Sequence, residues 1–348
     1  MGEQELHLIG QHPLALQVDV FRVVGPEGHG QQLHAGLLGR PARLVVVAAA
    51  ARRDDVGPDV ETAGGDRRHV IAGEPAITAT EQGARWHAQI QEGDESAAQA
   101  TLNLITTFSQ GEIDPQMMAE AAGLAAEVGY DEININVGCP SDRVQSGQFG
   151  ACLMARPDLV ADCYRAMQAA ADVPVTVKTR IGIDDHDSDE FFMRFVETLA
   201  AAGCRKFVVH ARIAILEGLS PKENRSVPPL NYERVYQLKR EHPELDIVVN
   251  GGITDVGQVE SALQQVDGVM IGRQAYHQSW FLAELEQHFY PDFEPPSRRA
   301  IIERMVPYIE RQLEEGERLG RITRHMVGLF AGMPGARAWR RYLSENAY

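Results

Sequence analysis

The chain lacks the marks of several common protein classes. It has four cysteines in 348 residues, Cys139, Cys152, Cys163 and Cys204, and no CxxC pair. Neither a disulfide framework nor a zinc site is indicated, so a cytoplasmic protein with reduced thiols and no metal is expected. No apolar run reaches the roughly 18–20 residues a membrane-spanning helix needs. The N-terminus also lacks the charged-then-apolar pattern of a signal peptide. Positive charge is scarce: 33 Lys and Arg against 49 Asp and Glu leave a formal net charge of −16. Phosphate binding wants the opposite sign, so any nucleic-acid contact has to rest on a local basic patch. Nothing in the sequence calls for a second subunit, and a monomer is expected.

Residues 1–113 lack still more. They contain no lysine, tyrosine or cysteine, yet hold half of the chain's twelve histidines. Val45-Val-Val-Ala-Ala-Ala-Ala51 is apolar enough for a buried element, but its neighbours Arg52-Arg-Asp-Asp55 show no period. His12-Pro-Leu-Ala-Leu-Gln17 has the look of a strand ending in glutamine, but it lies too far upstream of the next recognisable element to count as more than chance. Two readings compete for this region: a divergent domain, or a stretch read out of frame upstream of a real gene. The abrupt change of composition near residue 114 favours the second.

What is present starts at Asp114 and is regular. Apolar residues at helical spacing (Met118, Ala121, Leu124, Ala125, Val128) predict a helix over Pro115–Val128, with Asp114 as N-cap and Gly129 near the C-cap. Strict alternation in Ile133-Asn-Ile-Asn-Val137 predicts a strand, ended by Gly138 and Pro140. Helix 157–171 opens with proline, a first-turn residue, and precedes strand 175–180. Helix 188–202, strand 206–212, helix 232–240, strand 247–252, helix 256–265 and strand 268–273 follow. Five strands alternating with helices imply parallel βαβ units. Cys139, Lys178, His210, Asn250 and Arg273 all fall at strand ends, which favours an α/β fold of the TIM (β/α)8-type barrel over a doubly wound sheet. Only the last five strands are visible, so the first three are missing or divergent and would have to come from residues 1–113. Beyond residue 284 the pattern turns helical, over 298–312, 320–330 and 337–346. The expected organisation is an unmatched region 1–113, a barrel portion 114–284 and a helical domain 285–348.

The strand ends carry the candidate chemistry. A lone cysteine is more often an inert buried thiol than a reactive one. Cys139, however, is followed by a polar crowd, Ser141, Asp142, Arg143 and Gln145, that is hard to explain as core. Asn250-Gly251-Gly252 and Gly272-Arg273 close the last two strands, where TIM barrels commonly bind phosphate. Glycines let backbone N–H groups approach phosphate oxygens, and an arginine can pair with them bidentately. Lys178 in an apolar strand is costly unless paired or facing a site. His210 alone is as well read as a satisfied core histidine. From Arg298 onward arginines outnumber acids, and Arg337, Arg340 and Arg341 cluster; this is either a solvated face or a phosphate contact.

The run Asn136-Val-Gly-Cys-Pro-Ser-Asp-Arg-Val-Gln145 resembles the active-site segment of the tRNA-dihydrouridine synthases, of the DusA subfamily. The resemblance extends from about Asp114 to the C-terminus. It implies a flavin-dependent oxidoreductase that reduces the C5–C6 bond of a D-loop uridine in tRNA, of the U20/U20a type, with NADPH as reductant. FMN would be held by Lys178 and His210 at its ring and by Asn250, Gly251, Gly252, Gly272 and Arg273 at its phosphate. Cys139 would protonate C5 as general acid; an ordinary thiol, with pKa near 8.5, is mostly protonated at neutral pH and can donate. Asn136, and less directly Arg143, would read the flipped base. Lys222 and Arg225, in the loop Ser220-Pro-Lys-Glu-Asn-Arg225, and Arg337 and Arg340 would contact tRNA. No GxGxxG motif offers NADPH a separate site. The alternatives are a flavin barrel reducing free pyrimidines, which would need no basic loop, and a non-catalytic tRNA-binding remnant whose first strands never form and whose flavin is lost.

Overall fold

The computed structural model describes residues 16–24, 43–47, 100–104, 113–128, 130, 132–140, 150–314 and 316–347. Arg143 and its polar neighbours, Gly129 and the stretch 12–15 lie outside the described residues. In chain order the elements begin with strands β1 (Leu16–Val24), β2 (Arg43–Val47) and β3 (Ala100–Leu104). Helix α1 (Pro115–Val128), β4 (Glu132–Val137), α2 (Pro157–Ala170), β5 (Val175–Arg180), α3 (Asp189–Ala201) and β6 (Lys206–His210) follow. Then come α4 (Tyr232–Glu241), β7 (Asp246–Asn250), α5 (Val256–Leu263) and β8 (Gly268–Ile271). The chain ends in helices α6 (Arg273–His277), α7 (Phe281–Phe289), α8 (Arg298–Glu314), α9 (Leu319–Thr323) and α10 (Ala336–Asn346).

Eight strands close a barrel in the order β1-β2-β8-β7-β6-β5-β4-β3. The five strands expected from the sequence are there and all parallel. The missing three are supplied from the N-terminal region, against the expectation behind the remnant reading. They do so in a divergent way: β2 and β3 run parallel to β8 and β4, but β1 lies antiparallel to both β2 and β3.

Local signals set the element ends. The Asp114 carboxylate accepts from the Gln116 N–H at 3.1 Å, as an N-cap should. Ser188, Asn231 and Asp255 cap α3, α4 and α5 in the same manner, accepting from Phe191, Arg234 and Gln258. Strand β6 stops at His210 and β8 at Ile271, two residues short of the expected ends. The expected helix 320–330 is confined to Leu319–Thr323. Glycine explains the difference: a Cβ on Gly328 would lie 2.5 Å from the His277 carbonyl oxygen, and Gly332 and Gly335 have φ of +78° and +88°. The backbone leaves the helix to pack against α6 and turn back.

Strand side chains alternate between two faces. Ile133, Ile135, Val137, Val175, Val177, Phe207, Val209, Ile247, Val249, Val269 and Ile271 join Phe192, Phe195, Leu199, Val235 and Leu238 of the helices in one apolar core. The alternate positions face the barrel interior, where Val208, Val248 and Met270 form a separate small cluster. Above and below that plug the inward positions are polar. At the amino ends, Lys206 Nζ meets Glu132 Oε2 at 2.5 Å, Thr176 donates to Glu132 at 3.0 Å and Asn134 donates to Thr176 at 2.8 Å.

Candidate active site at the carboxyl ends of the strands

The pairing register brings the site residues to one end of the barrel. Asn136 lies opposite Lys178, Arg180 opposite His210, His210 opposite Asn250, and Asn250 opposite Met270. Cys139 is buried in the turn after β4. Three contacts fix that turn. The Asn136 carboxamide oxygen accepts from the Gly138 N–H at 3.0 Å, the Cys139 carbonyl accepts from Ala151 at 3.0 Å, and Arg180 Nε donates to the Gly138 carbonyl at 3.2 Å.

Arg180 is the organiser that the sequence reading missed. Only 4 % exposed, it also donates through Nη1 to the carbonyls of Ile213 and Asn224, at 3.1 and 3.0 Å. It thereby joins the cysteine turn to the loop after β6. Burial pulls its pKa down to about 10, with Arg225 and Arg212 adding to the effect and Cys139 opposing it, so it stays cationic at neutral pH. A period-2 count could have found it, since it stands two residues after Lys178 on the same strand face. Arg212, buried two residues after His210, was missed for the same reason; its guanidinium donates to the Pro228 carbonyl.

The loop 211–231 is built around Asn224, which is fully buried. Its side chain accepts from Ile215 N–H and donates to the Ile215 and Leu219 carbonyls. Ser220 and Glu223 bond each other reciprocally at the start of the short 3-10 turn Glu223–Arg225, a capping-box arrangement. Lys222 is exposed on this turn, and the Arg225 carbonyl accepts from Arg273 Nη2 at 2.9 Å. Asp184 Oδ1 accepts from Leu216, and Arg234 reaches Asp187 and Asp189, so the loops after β5 and β6 are tied together.

His210 sits at the centre. It is 8 % exposed, and among the described residues its Nδ1 has no hydrogen-bond partner. Burial first, then the positive charges of Arg180, Lys178, Arg212 and Arg273, hold its pKa well below 6.5, so the ring is neutral. Every charge acting on it is positive. Two buried arginines, Arg180 and Arg212, a half-buried Lys178 and an exposed Arg273 make a positive field around an orphaned ring nitrogen, which suits an anionic, hydrogen-bonding ligand.

The glycines divide in two groups. Gly251 and Gly252 have φ of +114° and +72°; a Cβ on the first would stand 2.9 Å from His210 Cδ2, and on the second 2.5 Å from Leu230 Cδ1. The Gly251 carbonyl accepts from the Tyr232 hydroxyl at 2.5 Å, and Asn250 Nδ2 donates to the Met270 carbonyl at 2.9 Å. This segment therefore has a packing role in its own right. Around Gly272, by contrast, there is open space where a Cβ would stand, with exposed Arg273 beside it. Arg337 and Arg340 are not among the charges acting on His210; they lie exposed on α10. Among the described residues no cluster of three or more His, Cys, Asp or Glu could hold a metal ion, and no helix is long and apolar enough to cross a membrane.

A closed α/β barrel with a buried thiol and a cluster of cations at the carboxyl ends of its strands has the architecture of a barrel enzyme. Residues 74–348 match the family described as Dihydrouridine synthase (Dus), and the chain belongs to that family. It is 60 % identical over 239 residues to the tRNA-dihydrouridine(20/20a) synthase of Shewanella oneidensis, covering 68 % of this chain and 71 % of that one. The proteins of the same name in Vibrio cholerae and Escherichia coli K12 are 58 % and 56 % identical over 240 and 243 residues. Those alignments cover 68 % of this chain in both cases and 73 % and 70 % of the relatives.

Proposed function

We propose that this chain is a cytoplasmic, monomeric tRNA-dihydrouridine synthase that reduces uridine at positions 20 and 20a of tRNA, with FMN as cofactor and NADPH as reductant. The observation that carries the reading is the cup around His210: a neutral, hydrogen-bond-competent ring among four cations, two strands along from the strand whose turn carries a buried thiol. Gly272 and Arg273, with the backbone of Asn250, Gly251 and Gly252, would hold the FMN phosphate, and Lys178 and His210 its ring. Bound flavin supplies a hydride equivalent for C6 of the uracil.

The chain's own residues do the rest. Cys139 holds the proton that goes to C5, and its turn is locked by Asn136 and Arg180, so the sulfur is presented in one geometry. The Asn136 carboxamide oxygen accepts from the Gly138 N–H, which fixes the side chain and leaves its NH2 group to donate to a uracil carbonyl. Lys178 places a positive charge where the ring and base meet. Lys222 and Arg225 on the barrel rim and Arg337 and Arg340 on α10 would contact tRNA phosphates, with residues 285–348 as the helical tRNA-binding domain. This distribution lets a chain of net charge −16 bind a polyanion locally.

The test uses the purified full chain. Absorbance at about 450 nm should report bound flavin, and incubation with unmodified tRNA and NADPH should yield dihydrouridine. A colourless protein that flavin cannot restore, and that forms no product, would overturn the reading.

A further inference from the structure

A second pocket lies far along the chain from the barrel, on the outer face of α10. It is lined by Phe330, Pro334, Trp339, Arg341, Tyr342 and Glu345. Helical spacing explains the grouping: positions 338, 341, 342 and 345 share one side of α10. The Gly335 turn, with φ of +88°, brings Phe330 against that side, so that the rings of Phe330 and Trp339 stand 5.0 Å apart at 60°. Trp339 is held by its indole N–H, which donates to the Met326 carbonyl at 3.1 Å. Tyr342, by contrast, leaves 63 % of its surface in water. A fixed aromatic wall, an exposed aromatic rim and a guanidinium make a surface on which a flat π-system can stack.

The charge around the pocket decides the occupant. From Arg318 to the C-terminus there are six arginines, and Glu345 is the only Asp or Glu, in a chain that is acidic overall. Arg337, Arg340 and Arg341 are all exposed on α10. An aromatic pocket within a basic field suits a nucleobase on a phosphate backbone, in which every unit brings both a flat ring and a negative charge. We infer that this pocket stacks an unpaired nucleobase of the tRNA, distinct from the uridine that is reduced, with the neighbouring arginines on its backbone. The inference rests on the tRNA reading above, and it gives that reading a second anchor point on the RNA.

The test measures tRNA affinity of the full-length protein by filter binding across a salt series, alongside dihydrouridine formation. Tyr342→Ala should weaken binding about tenfold, the range of one lost base stack. Tyr342→Trp, which keeps a ring, should bind like the wild type. Arg341→Gln should lower the salt slope by about one. Wild-type affinity in Tyr342→Ala, or equal losses in Tyr342→Ala and Tyr342→Trp, would overturn the proposal. A change of oligomeric state on sedimentation of Tyr342→Ala, with RNA affinity intact, would overturn it too and assign the face to a second copy of the chain. The two readings fail separately. A wild type that binds tRNA in a Tyr342-dependent way but makes no dihydrouridine keeps the pocket and loses the activity. An active enzyme indifferent to Tyr342 loses only the pocket.

Discussion

The two ends of the barrel interior are both polar and are put together by opposite rules. At the amino ends a carboxylate offsets the positive charge: Glu132 receives Lys206 and Thr176, and Thr176 receives Asn134, whose Oδ1 has no hydrogen-bond partner among the described residues. At the carboxyl ends Lys178, Arg180, Arg212 and Arg273 all act on a neutral His210 with the same sign of charge. Breaking the ion pair at the amino end would strand a charge, whereas the like charges gathered at the carboxyl end raise the field there and favour an anion that enters it. Similar side chains on the same strands thus do stabilising work at one end and recognition at the other.

The largest contrast should come from one substitution at each end. Glu132→Gln leaves the largely buried Lys206 ammonium without its carboxylate and should lower folding stability by about 3 kcal/mol with flavin content unchanged. Lys178→Met removes one of several like charges around His210 and should cost less stability than Glu132→Gln, yet should reduce flavin retention. Urea unfolding curves and absorbance spectra measure both; matching stability losses at the two ends would erase the distinction.

Gly252→Ala sharpens the picture at the open end, because it separates packing from ligand binding there. With φ at +72° and Leu230 Cδ1 2.5 Å from the new Cβ, it should cost about 2 kcal/mol. Adding Leu230→Ala should recover part of that loss but not all, since the backbone strain remains. If the double variant is no more stable than the single one, Leu230 is not the obstacle.

The smallest effect is a pH dependence. The folded-state pKa of His210 lies below the unfolded value of about 6.5. As pH falls through that value the unfolded chain takes up the proton first, so stability present above pH 6.5 is lost below it, by about 1.4 kcal/mol per pH unit. In His210→Gln this increment should vanish between pH 7.5 and 5.5, leaving only what His325 and the carboxylates contribute. An unchanged pH slope would mean that His210 is charged, or already satisfied, in the folded protein.

Much of this was legible in the sequence because β4 to β8 each bury one face against helices, which stamps a period on the text. The α1 bounds and the placing of Lys178, His210 and Asn250 at strand ends follow from that period. Strands β1 to β3 were not legible. Short alternations exist, as in Leu16-Gln-Val-Asp-Val20 and Ala100-Thr-Leu-Asn-Leu104, but no helices at regular intervals separate them, and β1 pairs antiparallel with β2 and β3, unlike the rest of the barrel. Arg180 and Arg212 were overlooked because each was read as the end of a segment, though each stands two residues beyond a residue already chosen. The bonds from Arg180 to Ile213 and Asn224 span 33 and 44 residues and exist only once the loops have folded. The C-terminal arginines were visible as charge, but the aromatic pocket beside them depends on the Gly335 turn.

The central claim is that the thiol locked between Asn136 and Arg180 delivers the proton that completes uridine reduction. The direct measurement is single-turnover dihydrouridine formation by Cys139→Ala, with flavin content and tRNA-independent NADPH oxidation followed in the same samples. The account predicts wild-type flavin, wild-type NADPH oxidation and a product rate about 100- to 10,000-fold lower. Product formed at close to the wild-type rate would contradict it.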